Sequence, residues 1–198
     1  MTVETSIRLS PLADWAAAFD QLPADIQVRE MPFRTQLSLR LDADGPAAAS
    51  VAEVIGVALP TAPCTFVGTD EVEALWLGPD EWLLVAPPGR QAQLQDALRA
   101  AIGDEFGTVT DVSAQRTTLR VSGSLTREVL ARGCAIDLHP QVSPGGTCVQ
   151  TQLAQAGVVL LVRDDAATSV WLLIRPSFAP YVASWLVDAC TEYREEAP

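Results

Sequence analysis

Apolar residues along this chain switch between a period of two and a period near 3.6, and they do so twice in the same order. An alternating strand is predicted over Thr35–Leu41, followed by a short helix over Pro46–Ile55. A hairpin comes next, with Leu75–Leu77 and Trp82–Val85 flanking the turn residues Gly78-Pro79-Asp80. Leu94, Leu98, Ala101 and Ile102 then share one face of a closing helix. The second pass begins with a strand at Thr117–Val121 and a helix over Ser124–Arg132, with Ser124 as its cap and Gly133 as the left-handed residue after it. Val158–Val162 and Val170–Ile174 form its hairpin around Arg163-Asp164-Asp165. Tyr181, Val182, Trp185, Leu186 and Ala189 line its last helix, with Ser177 as N-cap and Pro180 in the first turn.

Residue identities recur along with the pattern. Trp82-Leu83-Leu84-Val85-Ala86-Pro87 returns 89 residues later as Trp171-Leu172-Leu173-Ile174-Arg175-Pro176. Leu39-Arg40-Leu41 returns as Leu119-Arg120-Val121, and Pro60 as Pro140, both 80 residues on. A duplication explains these matches together. The predicted fold class is therefore α+β, with two ferredoxin-like β-α-β-β-α repeats and antiparallel sheets. Residues 1–32 form an N-terminal arm with a short helix, 33–106 the first repeat and 107–198 the second, the whole being one compact unit. In the arm, Ser10 caps a helix starting at Pro11 that aligns Leu12, Trp15, Phe19 and Leu22. That stripe either packs on its own domain or docks on another subunit, which makes Trp15 and Phe19 candidate interface residues.

Composition narrows the function by exclusion. With 48% hydrophobic and 19% charged residues, the 198-residue chain can bury enough apolar surface to fold. Its longest apolar runs fall far short of the ~20 residues a spanning helix needs. Met1-Thr2-Val3-Glu4 lacks the basic and apolar start of a signal peptide, so a cytoplasmic location is expected. Net charge is −12 and all 13 basic residues are arginine. Such a chain repels nucleic-acid phosphates and anionic membranes. Without lysine, no Schiff base or lysine-attached cofactor is available.

Candidate chemistry is sparse. His139 is the one histidine, and Cys64, Cys134, Cys148 and Cys190 match no ligand spacing, so no metal site is expected. No Gly-x-Ser-x-Gly, Gly-x-Gly-x-x-Gly or Gly-x-x-x-x-Gly-Lys-Ser/Thr occurs, so no catalytic or cofactor-binding residue is assigned. Asp80-Glu81, Asp104-Glu105 and Asp164-Asp165 read as solvated turns and caps, and Glu192–Glu196 as a frayed tail. Asp111–Arg120 enters a strand with unusual polarity. Its acid and arginines either pair with one another or make Arg116 and Arg120 contacts at a subunit interface, where arginine is enriched.

Four segments carry a resemblance. Leu77-Gly78-Pro79-Asp80-Glu81-Trp82-Leu83-Leu84, the Asp111-Val112-Ser113 to Leu119-Arg120-Val121-Ser122-Gly123 stretch, Cys134-Ala135-Ile136-Asp137-Leu138-His139-Pro140 and Arg175-Pro176-Ser177-Phe178-Ala179 together resemble the sarcosine oxidase gamma subunit family. The likeness runs from about Leu9 to Cys190. It implies a structural partner of alpha, beta and delta subunits in a heterotetramer active in sarcosine catabolism and one-carbon metabolism. That complex converts sarcosine to glycine and hydrogen peroxide and passes the one-carbon unit to tetrahydrofolate. FAD, FMN, NAD, tetrahydrofolate and zinc are implied to lie in the other subunits, with no cofactor in this chain. The implied fold is similar to the folate-binding domain of glycine-cleavage aminomethyltransferase. The Gly-Lys-Glu-type motif of that enzyme has no counterpart in a lysine-free chain. The second reading is a stand-alone folate-binding or one-carbon transfer protein; the third, resting on fold analogy, is a ligand sensor.

Overall fold

The structure, a computed structural model, describes residues 8–194. Ten strands form two antiparallel five-stranded sheets. The first repeat supplies β2 (Thr35–Leu41), α2 (Pro46–Ile55), β3 (Phe66–Gly68), β4 (Glu73–Gly78), β5 (Glu81–Ala86) and α3 (Gln91–Ile102). The second supplies β7 (Thr117–Ser122), α4 (Thr126–Ala131), β8 (Cys148–Leu153), β9 (Ala156–Val162), β10 (Ser169–Ile174) and α5 (Ala179–Ala189). The α+β duplication expected from the pattern is present, and each copy carries an additional edge strand.

Two further strands cross between the halves. β1 (Gln27–Met31), from the N-terminal arm, pairs with β7 of the second sheet. β6 (Gly107–Asp111), which opens the second repeat, pairs with β2 of the first sheet. The sheet orders are β3-β4-β5-β2-β6 and β8-β9-β10-β7-β1. The N-terminal arm therefore completes the second sheet, and the second repeat completes the first.

Three apolar clusters fill the molecule. Leu37, Leu39, Leu41, Trp82 and Leu84 meet Val51 of α2 and Leu94 and Leu98 of α3 on the outer face of the first sheet. Leu119, Val121, Val170 and Leu172 meet Val129 of α4 and Val182 and Leu186 of α5 on the outer face of the second. Between the sheets lie Leu75, Leu83, Val85, Cys148, Val159, Leu161 and Leu173. The layers run helix, sheet, sheet, helix, so strands such as β5 are apolar on both faces.

Strand register fixes how the repeats superimpose. Arg34-Thr35-Gln36-Leu37 enters β2 as Arg116-Thr117-Thr118-Leu119 enters β7. Leu37 lies opposite Leu84, and Leu119 opposite Leu172. Leu83 therefore corresponds to Trp171, and Trp82 to Val170. The match of Leu39 with Leu119 is corrected by two residues, which keeps the face, and that of Trp82 with Trp171 by one, which changes it. Trp82 points to the helices and donates its indole N–H to the Pro60 carbonyl at 2.8 Å. Trp171 packs against the inter-sheet cluster. The same two-fold runs through the join between edge strands, where Phe66 N–H donates to Gly146 O at 3.0 Å and Cys148 N–H to Cys64 O at 2.8 Å. Thr65 and Thr147 bridge at the centre.

Several local expectations change. The arm holds a 3-10 turn, Ala13–Trp15, and the short α1 (Ala16–Phe19). Ser10 does not cap it; its hydroxyl donates to Glu30 Oε2 at 2.6 Å. Ser124 donates to Asp25 Oδ1 at 3.1 Å instead of capping α4. Ser177 sits in a 3-10 turn ahead of α5 and makes no cap bond. Thr191–Tyr193 is ordered as a 3-10 turn held by Arg132, which pairs with Glu192 and donates to the Tyr193 hydroxyl. Of the expected tail, residues 195–198 lie outside the described residues, as does the Met1–Glu4 segment read for a signal peptide.

Gly133 is required for space, not for a left-handed backbone. A Cβ there would fall 2.6 Å from the Trp185 ring. Gly133→Ala is expected to destabilise the chain by about 1–3 kcal/mol through overpacking against Trp185. Trp185→Leu should recover part of that loss in a denaturant titration of the double variant.

Candidate functional site: arginines on the inner sheet faces

The inner faces of β2 and β7 carry the polar residues that the helix-facing sides exclude. On the first sheet these arginines have acidic neighbours. Arg40 pairs with Glu81 at 2.5 Å and with Asp80 at 3.6 Å. Arg34 lies over the Trp171 ring, 4.9 Å from its centroid. Burial draws its guanidinium below the usual arginine range, while nearby Glu73 opposes that shift and Arg163 adds to it.

Glu73, Arg163, Phe66 and Trp171 line one cleft of about 650 Å³ with Arg34. Arg163 pairs with Glu73 at 2.5 Å. Its guanidinium also stacks on Trp171 at 4.0 Å and Phe66 at 4.9 Å, a cation–π arrangement. Glu73 is only 7% exposed, so this charge depends on its partner. By the two-fold, the positions of Glu73 and Arg163 are occupied in the other repeat by Val159 and Leu77, both packed in the inter-sheet layer. One end of the interface is ionic and the other apolar.

The second sheet differs in charge. Its register places Arg29 of β1 directly opposite Arg120 of β7. Ile174 lies opposite Thr117, so the next residues along, Arg175 and Arg116, also face one another. Arg116 and Arg175 line a cleft of about 630 Å³ with Gln150, Val159 and Phe178, and no carboxylate lines it. Burial lowers the Arg116 pKa and neighbouring Arg175 lowers it further, while Glu81 of β5 opposes the shift. The Arg116 guanidinium donates to the adjacent Gln115 side chain at 2.9 Å.

Arg116 and Arg120 share the inner face of β7. The alternative that the acid of this segment pairs with them is corrected: Asp111 Oδ1 accepts from Ser113 N–H at 2.9 Å and from its hydroxyl at 2.5 Å. Trp15 is half-buried against the second-sheet core, its ring 6.3 Å from Phe19. Phe19 is 7% exposed, so it supports the arm from within instead of offering surface to a partner. His139 Nδ1 accepts from Gln141 N–H at 3.2 Å, and Asp137 accepts from the His139 N–H, which closes a local turn. Asp164 accepts from the N–H groups of Ala166 and Thr168 at 3.0 Å, a turn role. Among the described residues, no three His, Cys, Asp or Glu side chains converge, and no helix is long and apolar enough to cross a membrane. Arg29 and Arg175 were not read as site residues, because only strand register brings them opposite Arg120 and Arg116.

A model of the "Sarcosine oxidase, gamma subunit family" matches residues 40–192. A sarcosine oxidase subunit gamma from Corynebacterium sp. (strain P-1) is 38% identical over 195 residues, covering 97% of this chain and 94% of that protein. This chain belongs to the sarcosine oxidase gamma subunit family. A second relative of the same name, from Arthrobacter sp., is 36% identical and covers 96% of this chain and 93% of its own length. Among solved structures, a chain of the heterotetrameric sarcosine oxidase from Corynebacterium sp. U-96, in complex with pyrrole 2-carboxylate, superimposes with a TM-score of 0.86 at 36% identity. That match covers 96% of this chain and 99% of the other. Glycine cleavage system aminomethyltransferase T from Bartonella henselae shares the fold, with a TM-score of 0.60 at 14% identity over 90% of this chain and 50% of that enzyme.

Two outcomes follow from the inner-face chemistry. Glu73→Val or Arg163→Leu alone should cost about 3 kcal/mol by stranding the other charge, whereas the pair together, which copies Val159 and Leu77, should recover most of it. Urea titrations of the three variants read this coupling. Burial, with a smaller push from Cys64, raises the Cys148 thiol to about 12. The unfolded chain therefore loses this proton before the folded one does. Its contribution to stability is full below about pH 9 and falls as pH rises toward about 12. A thiol reagent at pH 8 should label exposed Cys64 and reach Cys148 only on unfolding.

Proposed function

We propose that this chain is the gamma subunit of a heterotetrameric sarcosine oxidase and that it turns over no substrate of its own. The observation that carries the reading is full-length likeness. At a TM-score of 0.86, the chain covers 99% of its counterpart in the Corynebacterium sp. U-96 complex. Its partners are the alpha, beta and delta subunits, which hold FAD, FMN, NAD, tetrahydrofolate and zinc. The complex acts in the cytoplasm, converting sarcosine to glycine with hydrogen peroxide formed and the one-carbon unit passed to tetrahydrofolate.

The charges read above fit that role. Several carboxylates are used within the fold: buried Glu73 holds Arg163, Asp111 accepts from Ser113, and Glu30 accepts from Thr117 and Ser10. Arg116 and Arg120, with half-buried Trp15 of the arm, are the positions proposed to meet the partner subunits. Phe19 contributes by holding Trp15 in place.

Co-expression with the genes encoding the other three subunits tests the reading. The chain is expected to purify in stoichiometric amount with a flavin-bearing complex that oxidises sarcosine, and the isolated chain is expected to oxidise none. Isolated chain that binds tetrahydrofolate tightly and fails to join the complex would favour the stand-alone reading.

A further inference from the structure

Like charges opposite one another in an antiparallel pair are destabilising. This chain places two such pairs on one sheet face: Arg29 of β1 against Arg120 of β7, and, one residue beyond the Ile174–Thr117 pair, Arg175 against Arg116. Arg29, Arg120 and Arg175 are exposed, and Arg116 is half-buried in its cleft. Among the described residues, none of the four forms a salt bridge; those present belong to Arg40, Arg90, Arg132 and Arg163. The chain carries almost two acidic residues for every basic one, 25 to 13. Four arginines gathered on one sheet face with no ion pair among them, and with Glu81 the carboxylate that acts on Arg116, are therefore a concentration of positive charge in an acidic chain.

The other repeat shows that the scaffold does not demand them. At the two-fold-related position to Arg116, Arg34 has Glu73 nearby, and on the same face of β2 Arg40 pairs with Glu81 and Asp80. Ser38 stands where β7 has Arg120. Arg29 likewise stands where β6 has Thr110, so the second sheet carries arginines on this face that the first does not. Beside them lies Phe178, 42% exposed at the rim of the Arg116 cleft. Arginine with an exposed aromatic is the composition of a contact that becomes favourable once water is excluded.

We infer that the inner face of β1, β7 and β10 docks an acidic segment of a partner subunit, whose carboxylates sit between the arginines of each pair. The inference rests on the chain being a subunit, and it adds the chemistry of the surface it meets. Planar guanidinium groups hold carboxylates in a two-pronged geometry, so each pair can grip one or two acidic side chains. Repulsion that the free chain sustains is relieved only on assembly, which couples this face to the complex and not to folding.

The test compares wild-type complex with complexes made from Arg29→Gln/Arg120→Gln, from Arg116→Gln/Arg175→Gln, and from the four-site combination. Retention of the chain is measured by gel filtration at low and at 0.5 M salt. Each double variant is expected to weaken retention by 10-fold or more, with wild type losing affinity as salt rises. Replacing all four by lysine keeps the charge but not the two-pronged grip and should restore only part of the retention. The isolated glutamine variants should melt at the same temperature as wild type or above it, since repulsion has been removed. The inference is overturned if the four-site variant assembles like wild type, or if lysine restores nothing. It is also overturned if the glutamine variants lose stability, which would make the arginines part of the fold. Inorganic phosphate supplies the last arm. Phosphate that binds the free chain but not the complex supports an occupied face; equal binding to both shows that the face stays open, and contradicts it. A wild-type chain that never joins the complex would instead remove the subunit reading itself.

Discussion

Main-chain hydrogen bonding across the exchanged strands governs the rest of the molecule. β1 leaves the N-terminal arm to finish the second sheet, and β6 leaves the head of the second repeat to finish the first. A sheet edge without its last strand exposes unpaired N–H and C=O groups, so neither repeat is complete by itself. Exchange also fixes the two-fold, because the same register that seats β1 and β6 sets which faces of β2 and β7 look inward. Gly123, at φ +125° and pressed against the Asp25 carbonyl, ties the arm to the second repeat at that crossing.

Once the sheets are held face to face, their inner surfaces become the place where the two copies diverge. Leu75 and Leu161, or Val85 and Leu173, are equivalent and apolar, and they keep the layers together. Elsewhere one copy has an ion pair where the other has Val159 and Leu77, and the second copy has Arg120 where the first has Ser38. A symmetric scaffold thus carries an asymmetric charge distribution. That asymmetry suits a chain whose surface is completed by different neighbours on different sides, as the heterotetrameric relatives would require.

How much of this could be read from sequence depended on how local the cause was. Strands β2, β5, β7, β9 and β10 announce themselves because their apolar residues and flanking turns are contiguous. β1 and β6 do not: Gln27-Val28-Arg29-Glu30-Met31 and Gly107-Thr108-Val109-Thr110-Asp111 contain little apolar surface, and their partners lie far along the chain. The repeat was visible, but its register slipped by one at Trp82 and Trp171. Both faces of β5 and β10 are buried, so alternation there could not say which tryptophan looks inward. Arg116 and Arg120 stood out as polarity at a strand entrance. Their counterparts Arg175 and Arg29 became visible only through cross-strand pairing.

Native-state hydrogen exchange reads the central constraint most directly. If reciprocal exchange makes the two repeats one cooperative unit, the slowest amides of β2 paired with β6 and of β7 paired with β1 should open with one common free energy and one denaturant dependence. Two separate sets of opening energies, one for each sheet, would contradict it.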